Sequence, residues 1–174
     1  MKKKILIAVL WVLVIGVLFS LMPWSKNISV QTTAYEYALD QEEALRTHEV
    51  TIEGKYFYGI WREPYFDGTF AFSGFPFSQE QSARIHFRRE YGNLANLIYR
   101  DEAGQPYTSA LGQLRCERDF SEFVILVYET ERTGDQITST WNPETGHVLC
   151  TNAPDYAALR EQCEVLGFNI WEGA

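Results

Sequence analysis

The chain has no Cys-x-x-Cys pair, no His-Glu-x-x-His motif and no glycine-rich phosphate loop. Those absences argue against a knuckle-type zinc site, a zinc hydrolase of the helical two-histidine kind and a nucleotide P-loop. No serine or cysteine stands in a nucleophile motif, so no acyl-transfer chemistry is indicated. Cysteine is scarce: Cys116, Cys150 and Cys163 are the whole set. Three thiols leave one over in any disulfide scheme, and three pairings are open. Together with His147 they would supply four N/S ligands, but without the clustered spacing of closed zinc sites. No metal or other cofactor is expected. Positive charge is scarce too, with 15 Lys and Arg against 23 Asp and Glu. Beyond Lys26 the balance is 11 to 23, or −12. Such a surface opposes nucleic acid and anionic lipid, which need clustered cations. No internal repeat or low-complexity tract is visible.

What is present begins with an apolar run. Met1-Lys2-Lys3-Lys4 is followed by Ile5 to Met22 without a charge. At 1.5 Å per residue an 18-residue helix covers about 27 Å, near the thickness of a bilayer core. Residues 5–22 therefore read as a transmembrane helix, with residues 1–4 as a basic cytoplasmic start. Pro23 stops the helix, and Trp24 lies at the headgroup level. A cleaved secretory signal is the competing reading. The exit Phe19-Ser20-Leu21-Met22-Pro23-Trp24 carries bulky residues where a small-x-small site belongs. Lysines before the span keep the N-terminus in the cytoplasm and send the remainder across. The expected location is the cell membrane, single-pass, with an extracytoplasmic C-terminal domain. Asn27-Ile28-Ser29 is a glycosylation sequon, relevant only in a eukaryote.

Residues 23–33 read as a polar stalk and residues 34–174 as one domain. Thr32-Thr33 can cap a helix over Ala34 to Thr47 with a thin stripe of Tyr35, Ala38, Leu39 and Leu45. From Glu49 the period becomes two, with Val50, Ile52, Tyr56, Tyr58 and Ile60 on one parity. Asp67-Gly68 offers a hairpin turn, and Phe70 and Phe72 a returning strand. Further strands are expected at 84–88, 93–100, 107–116, 136–141 and 147–150. Phe123 to Tyr128 is apolar on both parities and so should be covered on both faces. Asn152-Ala153-Pro154-Asp155 starts a last helix, striped by Tyr156, Leu159, Cys163 and Leu166 and stopped by Gly167. Short connections exclude parallel crossovers. The fold class is α+β: an antiparallel sheet or open barrel of about eight strands with a packed C-terminal helix.

Four stretches carry a resemblance: Gly54-Lys55-Tyr56-Phe57-Tyr58, Phe66-Asp67-Gly68-Thr69-Phe70, Leu111-Gly112-Gln113-Leu114 and Asp119-Phe120-Ser121-Glu122-Phe123. With the lysine-led anchor, the chain resembles small uncharacterised membrane-anchored extracytoplasmic proteins of Gram-positive, clostridia-like bacteria. The resemblance implies placement and fold and brings no activity.

Two features point to binding. Ten of the 22 residues from Tyr56 to Phe77 are aromatic, and alternation can bury only half of a strand. Phe57, Trp61 and Phe75 fall on the parity opposite the core set, where an aromatic patch marks a protein partner, a glycan or a membrane surface. Arg84, His86 and Arg88 share one strand face, suited to a carboxylate or phosphate. The plain alternatives are a two-sided core for the aromatics and a solvated, charge-balanced face for the cations. The expected function is a non-enzymatic binding or interaction module of the cell envelope, with an envelope protein or glycan as partner. A carrier holding an apolar ligand inside the barrel is the alternative. An envelope hydrolase comes third.

Overall fold

A computed structural model describes residues 10–17, 20, 22, 24–88, 90, 94–100, 106–133 and 136–171. The basic start at 1–4 and much of the expected span, at 5–9, 18–19 and 21, lie outside the described residues. Helix α1 covers 10–17. Among the described residues no helix is long and apolar enough to cross a membrane.

The domain is a closed antiparallel barrel with a helix against its wall. Strands β1 (Trp24–Ala38), β2 (Arg46–Tyr58), β3 (Tyr65–Phe72), β4 (Ser82–His86), β5 (Ala95–Arg100), β6 (Pro106–Cys116) and β7 (Phe123–Val127) follow one another around it. Strands β8 (Glu129–Thr133) and β9 (Gln136–Thr140) form a separate hairpin. Strand β10 (His147–Thr151) then closes the barrel between β7 and β1. Helix α2 (Pro76–Glu80) sits between β3 and β4, and α3 (Tyr156–Val165) follows β10. The class and the count of eight strands agree with the sequence, but the membership differs. Strand β1 takes the place that the 136–141 segment was expected to fill.

Two expectations at the start of the domain fail for one reason. From Trp24 on, the expected stalk at 23–33 and helix at 34–47 are strand β1, a turn and the start of β2. On β1, Ile28 and Ala34 face the barrel interior, and Ser29 and Gln31 face water. Tyr35 and Tyr37, on the outward parity, pack beneath α3. That far-off cover makes both parities apolar near the strand's end and imitates a helical stripe.

The turn expected at Asp67-Gly68 is also displaced. Both residues lie in mid-β3, and the chain turns at 59–64 instead. Gly68 stands opposite Gly54 on β2. A Cβ on Gly54 would come within 2.8 Å of the Gly68 Cα and 2.4 Å of the Asp67 carbonyl oxygen. The glycines answer to close approach of two coiled strands, not to a positive φ.

Two cores result. Inside the barrel lie Phe66, Phe70, Phe72, Phe123, Ile52, Ile85, Leu97 and Leu114. Outside it, Val124, Leu126, Val148, Cys150 and Tyr37 meet Leu159, Cys163 and Phe168 of the α3 segment. Strand β7 is thus covered on both faces, as its unbroken apolar run requires. Asp155 caps α3 by accepting the Ala158 N–H at 2.9 Å. Gly167 at φ +79° ends it, while the Phe168 N–H reaches the Cys163 carbonyl at 2.7 Å.

The barrel's ends are closed differently. One is plugged by Phe120, which holds a left-handed φ of 61° in the β6–β7 loop and is fully buried. Its ring meets Phe66 at 4.9 Å and Phe70 and Phe87 at 6.0 Å each. The other is closed by α2, where Ser78 Oγ accepts the Phe72 N–H at 2.8 Å and Phe77 packs edge-on against Tyr99 at 5.3 Å.

Removing the plug should be costly. Phe120→Ala is expected to lower unfolding free energy by about 3–5 kcal/mol, the usual range for a buried phenylalanine. Leu159→Asp should cost a comparable amount by placing a charge beneath α3. Urea titration of both variants against wild type checks this.

Candidate functional site

On β4 the buried residues are Ala83 and Ile85, so Ser82, Arg84 and His86 project outward. Register then decides their neighbours. Phe57 stands opposite Tyr65, Tyr65 opposite His86, and Asp67 opposite Arg84. The rings form a stacked row across three strands. Phe57 and Tyr65 lie 4.6 Å apart at 13°, and Tyr65 and His86 lie 5.6 Å apart at 27°. The Arg84 guanidinium sits 5.9 Å from the Tyr65 centroid and pairs with the Asp67 carboxylate. Both partners of that pair are well exposed, so its contribution to stability is at most about 1 kcal/mol.

Beside this row runs an outer groove of about 380 Å³, bounded by Arg84, His86, Arg88, Leu94, Asn96, Ile98 and Gln113. The Arg88 N–H bonds to the Leu94 carbonyl at 3.0 Å and fixes the groove's end. Among the described residues no carboxylate pairs with His86 or Arg88. A second recess of about 560 Å³ adjoins it, sharing Leu94 and Gln113. There Arg115 donates to the Leu166 carbonyl at 3.0 Å and lies 5.0 Å over Phe168. Burial lowers the Arg115 pKa. Its Nε is out of reach of solvent and has no partner among the described residues, so this arginine belongs to the packing of the C-terminal segment.

Of the six residues singled out from the sequence, four share this face: Phe57, Arg84, His86 and Arg88. Trp61 lies past the row's end in the 59–64 loop, 74% exposed, its indole N–H 3.3 Å from Ser20 Oγ. Phe75 is at the opposite end of the barrel. It packs edge-on against Phe72 and Phe77, each 6.0 Å away, and is part of the closure there. Trp61 and Phe75 therefore form no single patch with Phe57.

A polar cluster that sequence reasoning did not find sits beside Phe75. Glu36 of β1 bonds His48 Nε2 of β2 at 2.8 Å and His147 Nδ1 of β10 at 2.7 Å. A carboxylate can only accept, so both imidazoles donate to it. His48 is buried, and Gly74 lies against its ring so closely that a Cβ would fall 2.2 Å from Cε1. His147 is half-exposed. Burial works to raise the Glu36 pKa, but the hydrogen bonds and charges of His48 and His147 outweigh it, and the net shift is downward. The three residues are 12 and more positions apart in the chain, and only barrel closure unites them. Among the described residues, no hydroxyl or thiol bonds to either histidine, and no group of three ligands could hold a metal.

The cysteines are dispersed. Cys116 belongs to the barrel core, Cys150 and Cys163 to the core beneath α3, and all three are free and buried. Burial raises their pKa values, that of Cys163 to about 12. They behave as small apolar residues rather than nucleophiles.

No family model, no curated protein and no solved structure matches this chain.

The Glu36 cluster makes a definite pH prediction. Its carboxyl titrates lower in the folded state than its ordinary value of 4.5, so the unfolded chain takes up the proton first on acidification. The cluster's stabilisation is therefore complete above that value and is lost as pH falls through the folded value. Glu36→Gln should be destabilised by about 1–3 kcal/mol at neutral pH, as for a hydrogen-bonded charge. The gap to wild type should shrink in urea titrations run progressively below about pH 4.

Proposed function

We propose that this protein is a non-enzymatic binding module of the cell envelope, tethered by its leader and displayed outside the cytoplasm, with the β2–β6 outer face as its binding surface. The observation that carries this reading is the stacked Phe57–Tyr65–His86 row beside a groove holding Arg84 and Arg88, on a chain of net charge −8. Flat rings next to guanidinium groups suit a ligand that is cyclic and anionic, such as a sugar bearing phosphate or carboxylate. An envelope glycan of that kind is the preferred partner.

The uncharged run from Ile5 to Met22 supports the tether, and the three lysines before it support the orientation. The barrel form lends some support to an apolar-ligand carrier. Against that reading, the interior is occupied by the barrel's own phenylalanines and capped at both ends. A hydrolase would need a nucleophile beside His147, and among the described residues no hydroxyl or thiol bonds to it.

Polygalacturonate, a polymer of carboxylate-bearing sugar rings, is a suitable probe, added to the detergent-solubilised full chain and followed by calorimetry, with neutral dextran as control. Binding should be selective for the anionic polymer and weaken with salt. Arg88→Glu should weaken it by about tenfold, equivalent to about 1.4 kcal/mol. Equal binding of dextran, or an unchanged affinity in the variant, would rule the surface out.

A further inference from the structure

The proposed tether has a geometric consequence. The apolar run ends at Met22, and β1 begins at Trp24. One intervening residue spans only a few ångströms, since an extended chain advances at most about 3.6 Å per residue. There is no stalk, so the end of the barrel that carries Trp24 must lie against the plane where the leader leaves the bilayer. Trp24 pairs with Tyr58, the last residue of β2, which places the 59–64 loop at the same end. A Cβ on Gly59 would lie 3.8 Å from the Met22 carbonyl, and Trp61 donates to Ser20.

The composition of that end is uneven. Beyond the leader, the large hydrophobic residues exposed among the described ones are Leu45, Tyr58, Ile60, Trp61 and Val165. Three of these five fall between Tyr58 and Trp61, with Ile60 at 51% and Trp61 at 74% exposure. Trp24 packs on Tyr58 at 5.9 Å and extends the aromatic surface toward the leader. The β6–β7 loop at the same barrel end is polar: Glu117, Arg118, Asp119 and Ser121. The opposite end holds Asp40, Glu42, Glu43 and Glu80, all half-buried or exposed.

We infer that the β2–β3 loop is a second membrane contact, in which Ile60 and Trp61 enter the headgroup region beside the leader and hold the barrel upright on the bilayer. The inference rests on the tether proposed above. Its occupant is the lipid surface itself. Tryptophan and tyrosine favour that zone because an indole or phenol buries an apolar ring while its polar atom stays hydrated. A loop of this kind restricts rotation about the short junction at residue 23. The acidic end and the Glu36 cluster then face away from the membrane, and the polar β6–β7 loop stays in water.

The test uses the full chain reconstituted in phosphatidylcholine vesicles. The native cysteines are buried, so a nitrobenzoxadiazole probe can be placed selectively on Glu63→Cys in the loop or on Glu42→Cys at the far end. Lipid spin-labelled at the headgroup should quench the probe at position 63 about threefold more than at position 42. The tether alone would also bring position 63 nearer, so the decisive arm adds Ile60→Ser and Trp61→Ala to the Glu63→Cys protein. Quenching at 63 should then fall by at least about half while flotation with vesicles is unchanged. Unaltered quenching in floated vesicles would overturn the loop contact and leave the tether standing. A chain that does not float with vesicles would overturn the tether, and the loop contact with it. Superimposable thermal melts of the loop variant and its parent establish that the change is local.

Discussion

The structure depends on β1 pairing on both of its edges. Trp24 to Glu36 lies against β2, while Ala34 to Ala38 pairs with β10 and converts a sheet into a barrel. Without that second pairing the wall would end in two exposed edges, and the phenylalanines of the interior would face water. Glu36 lies within this seam. Its two carboxylate oxygens bond His48 on one neighbouring strand and His147 on the other, so a single side chain clips together the three strands that complete the closure. A charge this deeply placed is tolerable because both oxygens are satisfied and the bonds are charge-assisted.

Closure also gives the molecule two unlike ends and two unlike faces. At one end a left-handed residue, Phe120, directs its ring into the barrel; at the other, a five-residue helix and the Glu36 cluster form the lid. Along the wall, α3 covers β1, β7 and β10, and the opposite side is left to β2, β3, β4, β5 and β6. The Phe57–Tyr65–His86 row and the basic groove lie on that uncovered side. The surface available for binding is therefore what remains once α3 has taken its share.

Much of this was legible residue by residue. Val50, Ile52 and Tyr56 point inward as their alternation indicates, and Phe123 to Leu126 is covered on both faces as its unbroken run requires. The Gly167 stop bounds α3 where its chemistry suggests, while at the start Pro154 precedes the helix and Asp155 is its cap. Arg84, His86 and Arg88 do share a face. What misled was any signal with two physical sources. Asp67-Gly68 looks like a turn, because glycine serves turns and close strand approach alike. Tyr35 and Leu39 look like a helix stripe, because a strand under a distant helix is apolar on both sides. Phe75 looks like a partner of Phe57, because parity fixes a side of a strand but not a position along the barrel.

The alternation of the strands, the stop of the last helix, the acidic balance and the uncharged N-terminal run depend on neighbours within a few residues and are written locally. That β1 closes the barrel, that β8 and β9 stand apart, and that Glu36, His48 and His147 meet emerges only on folding. Those outcomes turn on pairings between segments as much as 111 residues apart. A polar residue's worth there depends on which partner satisfies it, and a local pattern carries no record of that choice.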